Sequence, residues 1–209
     1  MNKKQLKEIK INGVTFLLDY QYQFVADLVS DKFKPSCAMI NQAFMYDPTT
    51  AKRLIKAAIQ EGCADDVAMT FVISMALQSW GELAQSGELI AQMFKKHPTD
   101  LFARCIYANQ LIFCGQVKLV PAIFGHTFDL AKLTEKRELP LTVFVRFMAV
   151  ACDYYFDKRD FANFAKYLSY LQEGAPEHEE TQEYLSSLQE MNERSKMNGR
   201  SAMDDGNIH

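Results

Sequence analysis

The sequence lacks the motifs by which common reaction centres are recognised. Its 209 residues contain neither a G-x-G-x-x-G nor a G-K-[ST] phosphate loop, and His178-Glu179-Glu180 has no second histidine to complete a zinc-binding helix. The five cysteines are an odd number and none forms a C-x-x-C pair, which predicts neither a disulfide framework nor a paired zinc site. We therefore expect a protein that is not an enzyme and that uses no cofactor or metal.

Strong net charge and long apolar runs are also missing. Lys plus Arg number 23 and Asp plus Glu number 26, and the resulting net charge of -3 provides no positive field to attract nucleic acid. The longest nearly apolar stretch, Val67 to Leu77, is far shorter than the roughly 18 residues of a membrane span, and no signal-peptide core follows the basic start. These features predict a soluble, cytoplasmic protein that binds neither nucleic acid nor membrane.

Helical periodicity is present along most of the chain, and caps and helix breakers interrupt it. Asp47-Pro48 is typical of a helix start, and Gly62 is typical of a helix end. The run from Asp65 to Trp80 is apolar on nearly every side, so other elements must cover both of its flanks. The pattern predicts about nine to ten helices. Their predicted ranges are 14–30, 35–46, 49–61, 65–80, 82–97, 99 or 100 to 114, a helix beginning near 116, 141–156, 161–173 and 177–194.

The first thirty residues allow two interpretations. Asn12-Gly13, between apolar residues on both sides, is a hairpin signal, and it would place a hairpin at residues 9–16. Apolar residues from Val14 to Ser30 also recur at helical spacing, and a two-stranded hairpin alone is marginally stable. We therefore predict a helix over 14–30.

Two glycines mark a repeat. Gly81 and Gly115 lie 34 residues apart, which is the length of one helix-turn-helix repeat, and each ends an apolar helical run. With Val67, Leu101 and Val145 as first positions of three such units, small and large residues recur at fixed places, although ten extra residues before Val145 interrupt the period. The paired positions between helices are Ser74, Ala108 and Cys152 on the first helices and Ser86, Val120 and Phe164 on the second; the large positions are Leu77, Leu111, Tyr155, Ile90, Phe124 and Leu168; Pro98 and Pro176 end units.

This register resembles the tetratricopeptide repeat (TPR), in which small residues face each other between two helices and proline ends the unit. Arg104, Val120, Phe164 and Lys132 depart from the family pattern. The resemblance implies an all-α fold, a right-handed α-solenoid of antiparallel helix pairs with a C-terminal capping helix. The implied organisation is an N-terminal helical segment (1–34), a helical hairpin (35–64), three TPR-like units (65–176), a capping helix (177–194) and a disordered tail (195–209).

The resemblance also implies a concave groove, lined by the second, fifth, ninth and twelfth positions of each first helix. These positions are mostly apolar, and Met and Phe side chains adapt to apolar partner segments. A second interpretation is that the chain's own terminal helix or a second copy covers this surface. The implied groove residues are Phe71, Met75, Gln78, Phe102, Cys105, Asn109, Ile112, Arg146, Asp153 and Phe156, together with Ala68 and Ala149.

Three polar groove positions carry specific expectations. The resemblance implies that Asn109 holds a partner backbone, because one amide supplies both a donor and an acceptor. Arg146 and Asp153 lie seven residues apart and share a helix face. They either anchor a charged group of a partner or satisfy each other and neighbouring backbone groups.

The expected function is a non-enzymatic scaffold, an adaptor or chaperone that binds a partner protein segment in the groove. The size, acidic pI and flanking helices resemble the architecture of the small TPR chaperones of bacterial type III secretion. The alternative is a helical small-molecule-binding or catalytic domain with a pocket around Arg146 and Asp153. A third possibility is self-assembly into a homo-oligomer through the exposed repeat ends.

Overall fold

Helices form most of the molecule, and a small sheet lies against them. The computed structural model describes residues 5–189, so the predicted tail from 195 and the end of the predicted helix 177–194 lie outside the described residues. The coarse prediction of a mainly helical fold is confirmed, with three short strands in addition. The strands are β1 (Leu6–Ile11), β2 (Val14–Asp19) and β3 (Glu138–Pro140); the helices are α1 (Lys34–Tyr46), α2 (Pro48–Gln60), α3 (Val67–Ser79), α4 (Leu83–Lys96), α5 (Leu101–Phe113), α6 (Val120–Ile123), α7 (Leu130–Leu133), α8 (Leu141–Asp157), α9 (Phe161–Gly174) and α10 (179–189).

The predicted helix over 14–30 is wrong, because these residues begin with β2 of an antiparallel hairpin. The hairpin register pairs Ile11 with Val14, and both turn residues, Asn12 and Gly13, have positive φ values of 49° and 84°. Such a turn matches the twist of the strands it joins. The rest of the segment contains only a 3-10 turn, Val25–Leu28.

The hairpin is stable in this fold because a third strand and two helices complete its packing. β3 pairs in parallel with β2, with Leu18 opposite Leu139, and the Leu17 N–H donates to Arg137 O at 2.7 Å. The sheet packs against α8 and α9. β3 lies in the stretch of ten extra residues that interrupts the repeat period before Val145. The irregularity in the sequence therefore corresponds to the strand that completes the sheet.

Aspartates begin four of the long helices. Asp47, Asp66, Asp100 and Asp160 each accept a hydrogen bond from a backbone N–H three residues later, over 2.8 to 3.1 Å. This satisfies one of the N–H groups that the first turn of a helix leaves unpaired. The helix start predicted at Asp47-Pro48 is confirmed, and Asp100 and Asp160 are the caps of α5 and α9.

Consecutive helices pack in pairs, α1 with α2, α3 with α4, and α8 with α9, while α5 packs against both α4 and α8. The positions predicted to face each other between paired helices are all buried. Ser86 Oγ, for example, donates to Ser74 O across the α3/α4 interface at 3.3 Å. The buried residues of this set are Ser74, Ala108, Cys152, Ser86, Val120 and Phe164.

The helix predicted to begin near Gln116 is broken into short pieces. A 3-10 turn at Val117–Leu119 leads into the four-residue α6, in which Pro121 lies in the first turn. Gly125 and His126 follow with φ values of 60° and 62°, and the His126 N–H donates to Pro121 O at 2.7 Å. The left-handed backbone at these two residues ends the helix, so the second unit has no long second helix.

Candidate protein-binding site

The predicted groove residues do not form one continuous surface. Phe71, Phe102 and Cys105, which were predicted to line the groove, are buried, so little of their surface is open to a partner. The rings of Phe71 and Phe102 have centroids 5.9 Å apart, and the Arg146 guanidinium lies 4.9 Å from the Phe71 centroid. Side chains of α3, α5 and α8 thus contact one another here and fill this part of the predicted groove.

Part of the predicted surface remains open as an apolar cleft between α1 and α3. The cleft has a volume of about 400 Å³, and it contains Met75, whose side chain is 49% exposed, and an edge of Phe71. α1 and α3 contact each other only sparsely, which leaves this space between them. The residues that line the cleft are Val25, Ile40, Asn41, Phe44, Phe71, Val72, Met75, Ala76 and Ser79.

Sequence reasoning missed the α1 side of this cleft. Ile40, Asn41 and Phe44 form that wall, but the repeat register began only at Val67, so no groove position was assigned to α1. The centroid of the Phe44 ring lies 5.5 Å from that of Trp80, the residue that follows α3, so α1 and the end of α3 are in contact beside the cleft. The helical spacing of Ile40 and Phe44, four residues apart, is the sequence signal that could have identified them.

The remaining central groove residues are partly exposed or engaged within the fold. Gln78 Nε2 donates to Ser86 Oγ at 3.1 Å and to Gln110 Oε1 at 3.2 Å, so its amide connects α3, α4 and α5. Asn109 and Ile112 are half-buried on α5. Phe156 is exposed at the end of α8, and its ring lies 5.6 Å from that of Phe164. The amide of Gln78 therefore has a structural role.

Arg146 and Asp153 contact the chain's own C-terminal helix. Arg146 forms an ion pair with Glu180, and Tyr184 Oη donates to Asp153 Oδ1 at 2.5 Å and to Ala149 O at 3.1 Å. Of the two interpretations of this surface, the internal one applies, with α10 as the covering element. The polar partners of Arg146 and Asp153 are thus Glu180 and Tyr184 of α10, and the two residues do not contact each other directly.

Burial controls the electrostatics under α10. Desolvation raises the pKa of Asp153 above its usual value, although the Tyr184 hydrogen bond and Arg146 oppose the rise. Desolvation also raises the pKa of Glu180, which Arg146 and His178 oppose. The pKa of the Cys105 thiol is raised by burial as well, so this cysteine is an inert core residue. Both carboxylates therefore lose favourable hydration when α10 is docked.

Among residues 5–189, no cluster of metal ligands and no membrane-spanning helix is found. Residues 5–189 contain no group of three or more His, Cys, Asp or Glu side chains that could hold a metal ion. Within the same range, every helix is too short or too polar to cross a membrane. In comparisons with known proteins, the chain matches no family model, no curated protein sequence and no solved structure. Any function must therefore be inferred from the contacts of this chain itself.

Proposed function

We propose that this protein is a non-enzymatic interaction scaffold, an adaptor or chaperone, that binds an apolar segment of a partner protein in the α1/α3 cleft. The observation that carries the proposal is the half-exposed Met75 at an open cleft with an almost wholly apolar lining. Water in such a cleft is released when apolar side chains enter it. Met and Phe side chains also adjust to partners of different shape, which suits a scaffold or chaperone.

The size of the cleft determines what kind of segment fits. A volume of about 400 Å³ is near the lower end of the range for ligand pockets, about 300 to 1,000 Å³. It accommodates a few apolar side chains that project from a partner helix or extended strand, and the partner backbone then lies across the rim. Asn41, on the α1 side of the cleft, offers an amide that can donate to and accept from that backbone.

A TPR-like right-handed solenoid of antiparallel pairs is the architecture that we propose for this scaffold. The recurring turns support it. Gly81, Gly115 and Arg159 each lie fourteen residues after the first position of their unit and have φ values of 76°, 71° and 56°. The N–H of the following residue donates back to the last turn of the helix at each, over 2.7 to 2.9 Å. Three turns of one geometry at equivalent positions indicate repeated units.

The geometry favours a protein partner over a small molecule held by Arg146 and Asp153. α10 supplies the ionic partner of Arg146 and the hydrogen-bond donor to Asp153. A small ligand at this place would therefore compete with a covalently attached helix. The α1/α3 cleft has no such competitor among the described residues.

A charge introduced into the cleft tests the proposal. Met75→Glu places a carboxylate in the apolar cleft, and we expect at least about a tenfold loss of partner recovery in affinity pull-down with mass spectrometry, because the charge loses hydration on binding. Met39→Glu is the matched control, since Met39 is 48% exposed on α1 outside the cleft. Circular dichroism should show both variants folded. Equal recovery by Met75→Glu and the wild type would refute binding in this cleft.

A further inference from the structure

α10 docks on α8 through a face that has a regular spacing. Glu180 and Tyr184, four residues apart, lie on one side of α10 and contact Arg146, Ala149 and Asp153. The three α8 residues are spaced three and four apart, so they also share one face. The two helix faces are therefore complementary. α8 presents a guanidinium and hydrogen-bond acceptors, and α10 presents a carboxylate and a phenol hydroxyl.

Apolar contacts accompany these polar ones. The Tyr184 ring lies 6.4 Å from that of Phe164 on α9, and Leu185 and Leu188 are partly buried against the core. Gln182 and Ser186, on the other side, are exposed. α10 is therefore an amphipathic helix lying on a helical surface, which is a common mode of peptide recognition.

The docking of α10 is incomplete in its polar contacts. Arg146 Nε, Glu180 Oε2 and Thr181 Oγ1 are buried without a hydrogen-bond partner among the described residues. Each such atom has lost its water without full compensation. An open cleft of about 330 Å³ also lies beside the ion pair, lined by residues of both α8 and α10. Incomplete polar contacts lower the free energy that is needed to detach this helix.

These observations point to a second binding surface, separate from the α1/α3 cleft. We infer that the face of α8 under α10 binds an amphipathic helix of a partner protein that presents a carboxylate and a tyrosine four residues apart, and that α10 occupies this surface in the free protein. The chemistry of the partner is derived from α10 itself, because its Glu180 and Tyr184 show which groups Arg146, Ala149 and Asp153 accept. The partner helix displaces α10, so a docked α10 and a bound partner exclude each other.

The full-length chain with one charge reversal tests this inference. Glu180→Arg replaces the ion pair with a repulsion from Arg146 and releases α10. The probe is a labelled synthetic peptide with the chain's own sequence from 177 to 189, which contains the Glu180 and Tyr184 that contact α8. We expect fluorescence anisotropy to show at least about tenfold tighter binding to Glu180→Arg than to the wild type, since α10 no longer competes. Glu179→Arg, an exposed neighbour, is the matched control and should bind the peptide as the wild type does.

Hydrogen exchange and an altered peptide provide two further measurements. Hydrogen exchange should be faster over residues 179–189 in Glu180→Arg than in the wild type, with the rest of the protein unchanged. A peptide carrying both Glu180→Arg and Tyr184→Phe should bind at least about tenfold more weakly than the native peptide, because it repels Arg146 and lacks the hydroxyl. If Glu180→Arg does not fold, Tyr184→Phe in the full chain provides a milder release, for which we expect a severalfold gain in peptide binding.

Three results would overturn the inference. The first is unchanged hydrogen exchange over 179–189 in the folded variants, which would make α10 a permanent cap. The second is faster exchange without tighter peptide binding, which would mean that the uncovered α8 face does not recognise a helix. The third is a doubled mass of the wild-type protein in light scattering that reverts in Glu180→Arg, because α10 would then serve exchange between two copies. None of these results bears on the Met75 test, so the two proposals fail separately.

Discussion

Single side chains connect parts of this molecule that are distant in sequence. The carboxylate of Asp66 accepts from the Met69 N–H at the start of α3 and from the Ser30 N–H in the N-terminal segment, each at 2.8 Å. One buried aspartate thus both begins a helix and fixes the segment that follows the hairpin. Its role as a cap is readable from local sequence, whereas the bond to Ser30 requires the chain to have folded back.

Gly174 is required where α9 ends, because there is no room for a larger residue. A Cβ atom at this position would lie 2.5 Å from Phe144 Cε1 and 3.1 Å from Ile9 Cδ1. We expect Gly174→Ala to lower the free energy of unfolding by about 1 to 3 kcal/mol through overpacking of the core, measured by urea denaturation.

Gly87→Ala is the matched control for that substitution. Gly87 also lies in a helix, α4, but a Cβ atom there would have Gln110 Nε2 as its nearest neighbour, at 3.5 Å, which is an ordinary contact. Alanine favours the helix over glycine by about 0.5 to 1 kcal/mol, so this variant should be stabilised. The prediction fails if the two substitutions shift stability in the same direction.

At the scale of elements, helix ends were predictable where caps and breakers agree with the periodicity. The predicted ranges 35–46, 49–61 and 82–97 differ by one residue at most from the ends of α1, α2 and α4. The hairpin was the second interpretation of its segment and the broken second unit was not predicted, because the stability of both depends on partners far along the chain. β2 needs β3, which lies more than a hundred residues later.

The turn between α8 and α9 provides an element-scale prediction. Arg159 has a φ value of 56° at the position that glycine holds in the other two units. A residue with a side chain is disfavoured there by roughly 1 kcal/mol relative to glycine. We expect Arg159→Gly to raise the midpoint of thermal unfolding by about 2 to 4 °C in a calorimetric scan.

The adjacent residue is the control for the turn. Lys158 has a φ value of -74°, which any residue adopts readily, so glycine gains nothing there and adds freedom to the unfolded chain. Lys158→Gly should therefore lower the melting temperature. A rise of equal size in both variants would show that the left-handed backbone at Arg159 carries no strain.

At the scale of the whole molecule, the surface predicted as one groove is divided between an open cleft and a self-covered face. The α1/α3 cleft leaves Met75 open, whereas α10 covers Arg146 and Asp153. The two proposed surfaces lie on different helix pairs. They adjoin where the Arg146 guanidinium lies 4.9 Å from the centroid of Phe71, which also lines the cleft.

The covered face makes stability depend on pH. Asp153 and Glu180 have raised pKa values in the folded protein, so the folded state binds protons more readily than the unfolded state above the ordinary carboxyl pKa. The destabilisation that the two ionised carboxylates cause is complete at high pH. It is relieved as the pH falls through their raised pKa values. We expect slower hydrogen exchange over 179–189 at about pH 5 than at about pH 7, after correction for the intrinsic rate.

Asp153→Asn isolates this effect. The amide has nearly the same shape and no titration near neutrality, while Arg146, His178, Glu183 and Tyr184, the other groups around the two carboxyls, remain in place. The corrected pH dependence of exchange should be weaker in this variant than in the wild type. An identical dependence in both proteins would assign the titration to Glu180.

The sequence by itself determined most of the long helices, their caps and the buried faces between paired helices, because these depend on interactions within a few residues and on periodicity. Only the tertiary structure decided which of the predicted groove residues are open to solvent. That outcome depends on contacts between distant elements, such as those of Arg146 with Phe71 and Glu180 and that of β3 with β2. Local patterns show that a face is apolar or charged, but the element that covers it is fixed by the way the whole chain packs.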